Sequence, residues 1–102
     1  MRLTQSAITD IVYQANYYSD NAPKQVAVRF RRSLQTAVDH LATYPESGVP
    51  RQVVNTRLSG LRMWHVTGFP SILIFYIYRQ GEVTIVRILH GAQDTQSILE
   101  EE

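Results

Sequence analysis

The sequence contains no cysteine, and this absence excludes several classes of protein at once. A chain without cysteine has no disulfide, no thiolate nucleophile and no cysteine-ligated zinc. Lysine is nearly missing too, because Lys24 is the one lysine among ten basic residues. The longest apolar run, Ile72–Tyr78, is far too short to cross a bilayer, and the N-terminus lacks the apolar segment of a targeting signal. We therefore predict a soluble, cytoplasmic protein.

Length and charge predict one small domain with a mild basic excess. The 102 residues, 44% of them hydrophobic, fit a single domain over residues 1–102 with a real core. Three of the nine acids form the C-terminal run Glu100–Glu102, so residues 1–99 hold ten basic and six acidic groups, a net charge of +4. A dedicated nucleic-acid binder usually has a much stronger excess, so we expect no direct contact with nucleic acid.

Two amphipathic helices are predicted in the first half of the chain. A short edge strand at Arg2–Gln5 and a capping Ser6 precede the first helix, which ends near Asp20. Its apolar stripe is Ile8, Ile11, Val12, Ala15 and Tyr18. The second helix runs between Pro23 and Pro45, with the stripe Ala27, Phe30, Leu34, Ala37, Leu41 and Tyr44. A short polar link between the two predicts an antiparallel helical hairpin.

The second half changes to the pattern of strands. Residues Pro45–Gly60 show no lasting period and predict a long surface connection. Three strands follow, at Leu61–Thr67, Ser71–Tyr78 and Glu82–His90, and a short acidic helix is predicted from Thr95. The fold class is therefore α+β: a short N-terminal strand, the helical hairpin, and a three-strand antiparallel meander forming one small sheet with the hairpin on one face.

Catalytic and metal-binding patterns find little support in the sequence. The three histidines lack metal-ligand spacing, and neither a nucleophile elbow nor a glycine-rich phosphate loop occurs, so we expect no metal and no cofactor. Strand alternation places Val83, Ile85, Arg87 and Leu89 on one face of the last strand and His90 on the other. Arg87 and His90 are therefore not predicted to form a catalytic pair.

The order of these elements and two short motifs resemble the ParE branch of the RelE/ParE toxin superfamily. The second helix ends in "LATYPESG", an L-x-x-x-P-x-x-G pattern, and the last strand ends in "RILHGAQD", an R-x-L-H-G-x-x-D pattern. The resemblance covers nearly the whole chain. It implies the toxic half of a bacterial type II toxin–antitoxin operon, bound as a hetero-oligomer and neutralised by a cognate antitoxin that orders along the helical hairpin and the sheet edge.

The resemblance also bears on the target. The superfamily's ribosome-dependent nucleases carry a basic residue in the central strand and another after the strand-ending glycine, where this chain has Ile72, Ile74, Ala92 and Gln93. Cleavage of a phosphodiester needs positive charge beside the phosphate and a group that takes up a proton. The resemblance therefore favours a non-enzymatic inhibitor of DNA gyrase. A ribosome-dependent mRNA interferase of the RelE type, or a degenerate toxin retained as an antitoxin-binding module, remain alternatives.

The candidate target-contact residues come from the end motif and, for Arg62, from strand alternation that places it on one face with Trp64, and none of them is expected to be catalytic. They are Arg62, Arg87, His90, Gly91, Gln93 and Asp94. We expect Gly91 to let the chain leave the strand in a conformation that other residues resist, which would aim the next residues outward. The tail Thr95–Glu102 is expected to extend this patch, and its removal to leave the sheet and the hairpin largely intact.

Overall fold

The computed structural model describes all 102 residues, and it confirms the α+β class with two long helices packed on a sheet. The helices are α1 (Gln5–Asn21), α2 (Lys24–Thr43) and α3 (Thr95–Glu100). The strands are β1 (Arg2–Leu3), β2 (Val49–Pro50), β3 (Arg62–Val66), β4 (Phe69–Arg79) and β5 (Glu82–His90), and one turn of 3₁₀-helix spans Thr56–Leu58. None of the helices combines the length and the hydropathy that crossing a membrane requires.

The sheet has five strands in the order β1-β5-β4-β3-β2. The predicted meander of β3, β4 and β5 is confirmed, and β1 adds to β5 in parallel at one edge. The other edge corrects the prediction for Pro45–Gly60, because that connection contains β2, which pairs with Arg62 and Met63 of β3. A two-residue strand held by backbone pairing leaves no periodicity in the sequence, so pattern reading treats it as a loop.

One face of the sheet packs against the α1–α2 hairpin. The predicted stripe of α2 is buried from Ala27 to Leu41, as expected, and Tyr44 beyond it is exposed. The stripe of α1 is partly wrong, because Ile8 and Val12 are exposed. The residues of α1 that are buried are instead Ala7, Asp10 and Gln14, with Ile11, Ala15 and Tyr18 packed beside them.

The start of α1 is fixed by Thr4 rather than by the predicted Ser6. The Thr4 side chain accepts a hydrogen bond from the backbone amide of Ala7 at 3.0 Å, which satisfies one of the free amides of the first turn. The Thr4 hydroxyl in turn donates to the carbonyl of Val86 at 2.6 Å. The same residue therefore caps the helix and ties it to β5.

The opposite face of the sheet carries a second core that the sequence did not predict. Its buried residues come from the 3₁₀ turn, the residue before β3, the strands β4 and β5, and α3: Leu58, Leu61, Leu73, Phe75, Ile77, Val86, Leu89 and Leu99. The connection after β2 and the C-terminal helix together cover this face. The predicted arrangement, with one covered face and a projecting tail, is therefore incomplete.

A bulge in β5 changes which side chains point to which face. Phe75 of β4 pairs with Arg87 and Tyr76 pairs with Ile85, so Val86 is the extra residue. Beyond the bulge the alternation is shifted by one residue. Ile88 consequently joins Val83 and Ile85 in the helix-side core, whereas Leu89, predicted to lie with them, faces the second core.

Candidate functional site

Tyr76 joins β4 to the end of α2. Its ring is fully buried, and its hydroxyl donates to the carbonyl of Pro45 at 2.9 Å and accepts from the amide of Gly48 at 2.8 Å. Burial raises the pKa of Tyr76, so the phenol stays protonated and cannot serve as a base. A Cβ atom on Gly48 would lie 2.5 Å from the Tyr76 hydroxyl oxygen. The proline and glycine of the L-x-x-x-P-x-x-G pattern are thus the two partners of this phenol.

Arg62 lies on β3 directly opposite Tyr76 and holds the same loop. One of its terminal nitrogens donates to the carbonyl of Glu46 at 3.1 Å and to that of Gly48 at 2.8 Å. Arginine suits this position because its planar group carries several donors at fixed angles. The side chain is half-buried, and its hydrogen bonds fix the chain between α2 and β2.

Arg87 is held by two carboxylates from distant parts of the chain. Its Nε and Nη2 atoms donate to the two oxygens of Asp10 at 2.7 and 2.8 Å, and Nη1 donates to Glu102 at 2.7 Å. The hydrogen bond to Asp10 raises the pKa of Arg87 further above its usual value. The guanidinium therefore keeps its charge at neutral pH and does not act as a general acid or base.

Asp10 is the residue of this cluster that sequence reasoning missed. Its side chain is 11% exposed, and the oxygen bound to Nε of Arg87 also accepts the amide of Ile88 at 2.9 Å. A carboxylate on an amphipathic helix is normally assigned to the solvent side. One signal existed, since Asp10 shares a helix face with Ala7 and Gln14, which are buried.

The outer edge of β5 beyond β1 is closed by hydrogen bonds from other elements. The amide of Thr4 donates to the carbonyl of Ile85 at 3.0 Å, and the carbonyl of Val86 accepts the Thr4 hydroxyl. Further along β5, the carboxylate of Asp10 accepts a hydrogen bond from the amide of Ile88, and the side-chain oxygen of Gln93 accepts one from the amide of His90 at 2.7 Å. Backbone groups that are already satisfied do not pair with an added strand.

The turn after β5 is stabilised by its own side chains. Nδ1 of His90 accepts the amide of Ala92 at 3.0 Å. Asp94 caps α3 by accepting the Ser97 hydroxyl at 2.8 Å and the Ser97 amide at 3.2 Å, and these bonds lower the pKa of Asp94. Each polar residue of the R-x-L-H-G-x-x-D pattern therefore has a partner within the chain.

Gly91 does not have the conformation expected for it. The glycines with positive φ are Gly60, Gly68 and Gly81, whereas Gly91 has an ordinary backbone and donates its amide to the carbonyl of Ser71 at 2.7 Å. A Cβ atom there would meet the Ser71 oxygen at 3.7 Å, an ordinary contact. The expectation that glycine is needed here to redirect the chain is wrong.

The C-terminal tail packs on one face of the sheet and does not project from it. Leu99 is fully buried in the second core. Glu100 accepts the amides of Val54 at 2.9 Å and Asn55 at 2.7 Å, and the Val54 bond is the main reason that the pKa of Glu100 is lowered. The Asn55 side chain donates to the carbonyl of Glu102 at 2.9 Å. The expectation that Thr95–Glu102 could be removed with little effect on the sheet is therefore wrong.

The candidate residues form two separate groups. Arg62 lies on β3 and Arg87 on β5, and β4 runs between them, which separates the two backbones by roughly 10 Å. Gly91, Gln93 and Asp94 are exposed together at the end of β5, beside the half-buried His90. No group of histidine and carboxylate side chains has the arrangement of a metal site. What the chain offers at this end is an exposed polar surface.

A predominantly apolar groove lies between β1 and the two long helices. Met1 and Leu3 form one side of it and are 45% and 37% exposed. The rest of the apolar lining comes from the helices: Ile11, Ala15, Phe30, Leu34 and Val38. Exposed apolar surface of this kind, bordered by polar residues, is typical of a protein-binding site.

Comparison with known proteins gives a family and a fold. A family model described as the ParE toxin of the type II toxin–antitoxin system parDE matches residues 1–95. No curated protein matches the chain. A solved structure described as a chromosomal ParDE TA system from P. aeruginosa has a chain of similar fold, with a TM-score of 0.70 and 18% sequence identity. The match covers 87% of this chain and 91% of that one.

Proposed function

Because the chain belongs to the ParE toxin family of type II toxin–antitoxin systems, we propose that it inhibits DNA gyrase by protein contact and is neutralised by a cognate antitoxin. The observation that carries the contact mechanism is the state of the groups best suited to chemistry. Arg62, Tyr76 and Arg87 are each held by hydrogen bonds within the chain, and Arg87 and Tyr76 both keep their protons. The site of action is the cytoplasm, where gyrase works.

The exposed end of β5 is the proposed contact with gyrase. Gly91, Gln93 and Asp94 lie on the surface there, and the bonds of His90 and Gln93 give their loop a defined shape before any partner binds. A surface that is already ordered loses little conformational entropy on binding. Arg87 positions this surface by holding β5 between α1 and the C-terminus, and Arg62 has the same positioning role at β3.

The groove between β1 and the helices is the proposed antitoxin site. Its apolar lining fits the apolar face of an antitoxin segment that becomes ordered on binding. Nanomolar affinity, about −12 kcal/mol, is expected for such a pair. Because that ligand binds only the folded toxin, the melting temperature of the toxin should rise in the complex.

The gyrase assignment is tested with purified protein, gyrase, supercoiled plasmid and ATP. We expect linear, cleaved DNA to accumulate. Ala92→Glu adds a bulky charge to the proposed contact surface at an exposed residue and should abolish most of the cleavage. Ala42→Glu, the same change at an exposed position of α2, should leave it unchanged. Unaltered supercoiling and cleavage at micromolar full-length protein would refute the assignment, and cuts in ribosome-bound mRNA would favour the interferase instead.

The antitoxin site is tested by co-purification with the product of the neighbouring upstream reading frame. Leu3→Glu places a charge in the groove and should weaken binding at least tenfold, about 1.4 kcal/mol. Val54→Glu is the matched control, since Val54 is 87% exposed and is not part of the groove. Equal binding by both variants would show that the antitoxin docks elsewhere.

A further inference from the structure

The basic residues divide into those bound within the chain and those that are free. Arg51, Arg62, Arg79 and Arg87 all donate hydrogen bonds to other residues, and Arg2 lies near Glu82. The first half of α2 differs. Its exposed face carries Lys24, Arg29 and Arg32, whose side chains form no hydrogen bond or ion pair. The side chains of Arg31, beside the apolar groove, and Arg57, in the 3₁₀ turn, also have no such partner, but they lie apart from these three. We call Lys24, Arg29 and Arg32 the basic face of α2.

The position of these charges is unfavourable for the helix itself. The N-terminus of a helix carries a partial positive charge, so acidic residues stabilise it and basic ones do not. Helix α2 starts after Pro23 without a side-chain cap, has no acidic residue in its first turn, and begins with Lys24. Asp39, further along the helix, is bonded to Gln35 and does not neutralise the basic face. Positive potential therefore accumulates here, and helix stability does not account for it.

We propose that the basic face of α2 binds the phosphate backbone of nucleic acid. A phosphate backbone is recognised by charge and hydrogen-bond donors alone, which is what Lys24, Arg29 and Arg32 present. An acidic protein partner would also need buried apolar or aromatic anchors, and the one exposed apolar residue among them is Val28. Arg29 is further ordered by Phe69, whose ring centroid lies 5.4 Å from its guanidinium carbon.

The dimensions of the basic face suit a duplex. Lys24 and Arg32 are eight residues apart, or about 12 Å along the helix axis. That length of duplex DNA carries about seven phosphates, enough for three cations. Binding should be independent of sequence and steeply dependent on salt. The mild net charge of the whole chain, which predicted no nucleic-acid contact, conceals this local concentration.

The test measures binding of the full chain to a short fluorescent DNA duplex of arbitrary sequence by anisotropy. With three phosphates neutralised, affinity should fall about 40-fold between about 50 and 200 mM salt. The double variant Lys24→Gln/Arg32→Gln should bind more weakly, with a fall of only about fourfold over the same range. Arg2→Gln/Arg57→Gln removes the same charge at exposed positions elsewhere and should keep the steep dependence. Thermal melting of both variants excludes a loss of fold.

Two results would overturn the proposal. One is equal weakening by the two double variants, which would show that only total charge matters. The other is unchanged DNA binding in Lys24→Gln/Arg32→Gln together with loss of binding to poly-glutamate, which would assign the basic face to an acidic protein. The assay contains no gyrase, so its result is independent of the gyrase assignment.

Discussion

The two faces of the sheet are covered by different means. On the helix side, a stripe of apolar residues along α2 packs against Ile72, Ile74 and Tyr76 of β4. On the other side, two short segments of the chain, after β2 and after β5, are joined to each other and to the sheet by polar contacts around a smaller apolar core. The helix-side face is covered by a periodic apolar stripe. On the other face, individual hydrogen bonds hold the covering segments in place.

The two kinds of contact tolerate substitution to different degrees. Apolar packing is shared among many contacts, so a volume-conserving substitution within the helix-side core should lower the free energy of unfolding only slightly. A polar contact depends on both partners, and removing one leaves the other buried and unsatisfied. We therefore expect the segments held by polar contacts to be destabilised by the loss of a single hydrogen-bonding group.

The largest loss of stability is expected for Asp10→Ala, because Asp10 links α1 on one side of the sheet to Arg87, which also holds the C-terminal residue Glu102. The change leaves the Arg87 guanidinium with Glu102 alone and the amide of Ile88 without a partner. Removing one partner of a buried ion pair lowers the free energy of unfolding by about 3–5 kcal/mol. Urea unfolding measures the loss, and Asp39→Ala, at an exposed acid of α2, should change stability by less than about 0.5 kcal/mol. A small effect of Asp10→Ala would mean that packing alone sustains both faces.

An intermediate effect is expected for one of two glycine substitutions. Gly48→Ala would push a Cβ atom against the buried ring of Tyr76, and overpacking of this kind costs about 1–3 kcal/mol. Gly91→Ala meets ordinary contacts at an ordinary φ and should shift stability by less than about 0.5 kcal/mol. Thermal unfolding of the pair separates them. If Gly91→Ala were the more damaging change, the assignment of Gly48 as the packing glycine would be wrong.

The smallest effect concerns pH. The Val54 amide, with that of Asn55, lowers the pKa of Glu100 below its ordinary value of 4.5. A carboxylate with a lowered folded-state pKa stabilises the protein above its unfolded value, and this contribution is lost as pH falls through the folded value. Stability should thus decline below pH 4.5, and less steeply in Glu100→Gln. Glu101→Gln, at an exposed residue, is the control, and identical acid profiles for all three proteins would contradict this role of Glu100.

The parts of the fold that follow a period were predictable from the sequence. The α2 stripe from Ala27 to Leu41 and the apolar run of β4 identified the helix-side core, because burial repeats there at helical or strand spacing. The second core was not predictable in this way. Its covering segments are short, and the contacts of Asn55 and Glu100 join residues 45 positions apart with no local pattern.

The candidate site shows the same division. The two motifs located the residues that matter, but motifs do not reveal partners, and Asp10 lies outside both of them. The bulge at Val86 could not be foreseen either, because an inserted residue leaves an apolar strand looking regular. The roles of Arg87 and Gly91 therefore required the three-dimensional arrangement.

The closed edge of β5 has a consequence for the behaviour of many copies together. Sheets polymerise by repeating one step, in which a free edge of one molecule meets a free edge of the next. Thr4, Asp10 and Gln93 occupy the backbone groups of β5 beyond β1, so that step has no long second edge on which to continue. We therefore expect any self-association through the sheet to stop after one addition. Thr4, Asp10 and Gln93 thus oppose the growth of fibres at high local protein concentration.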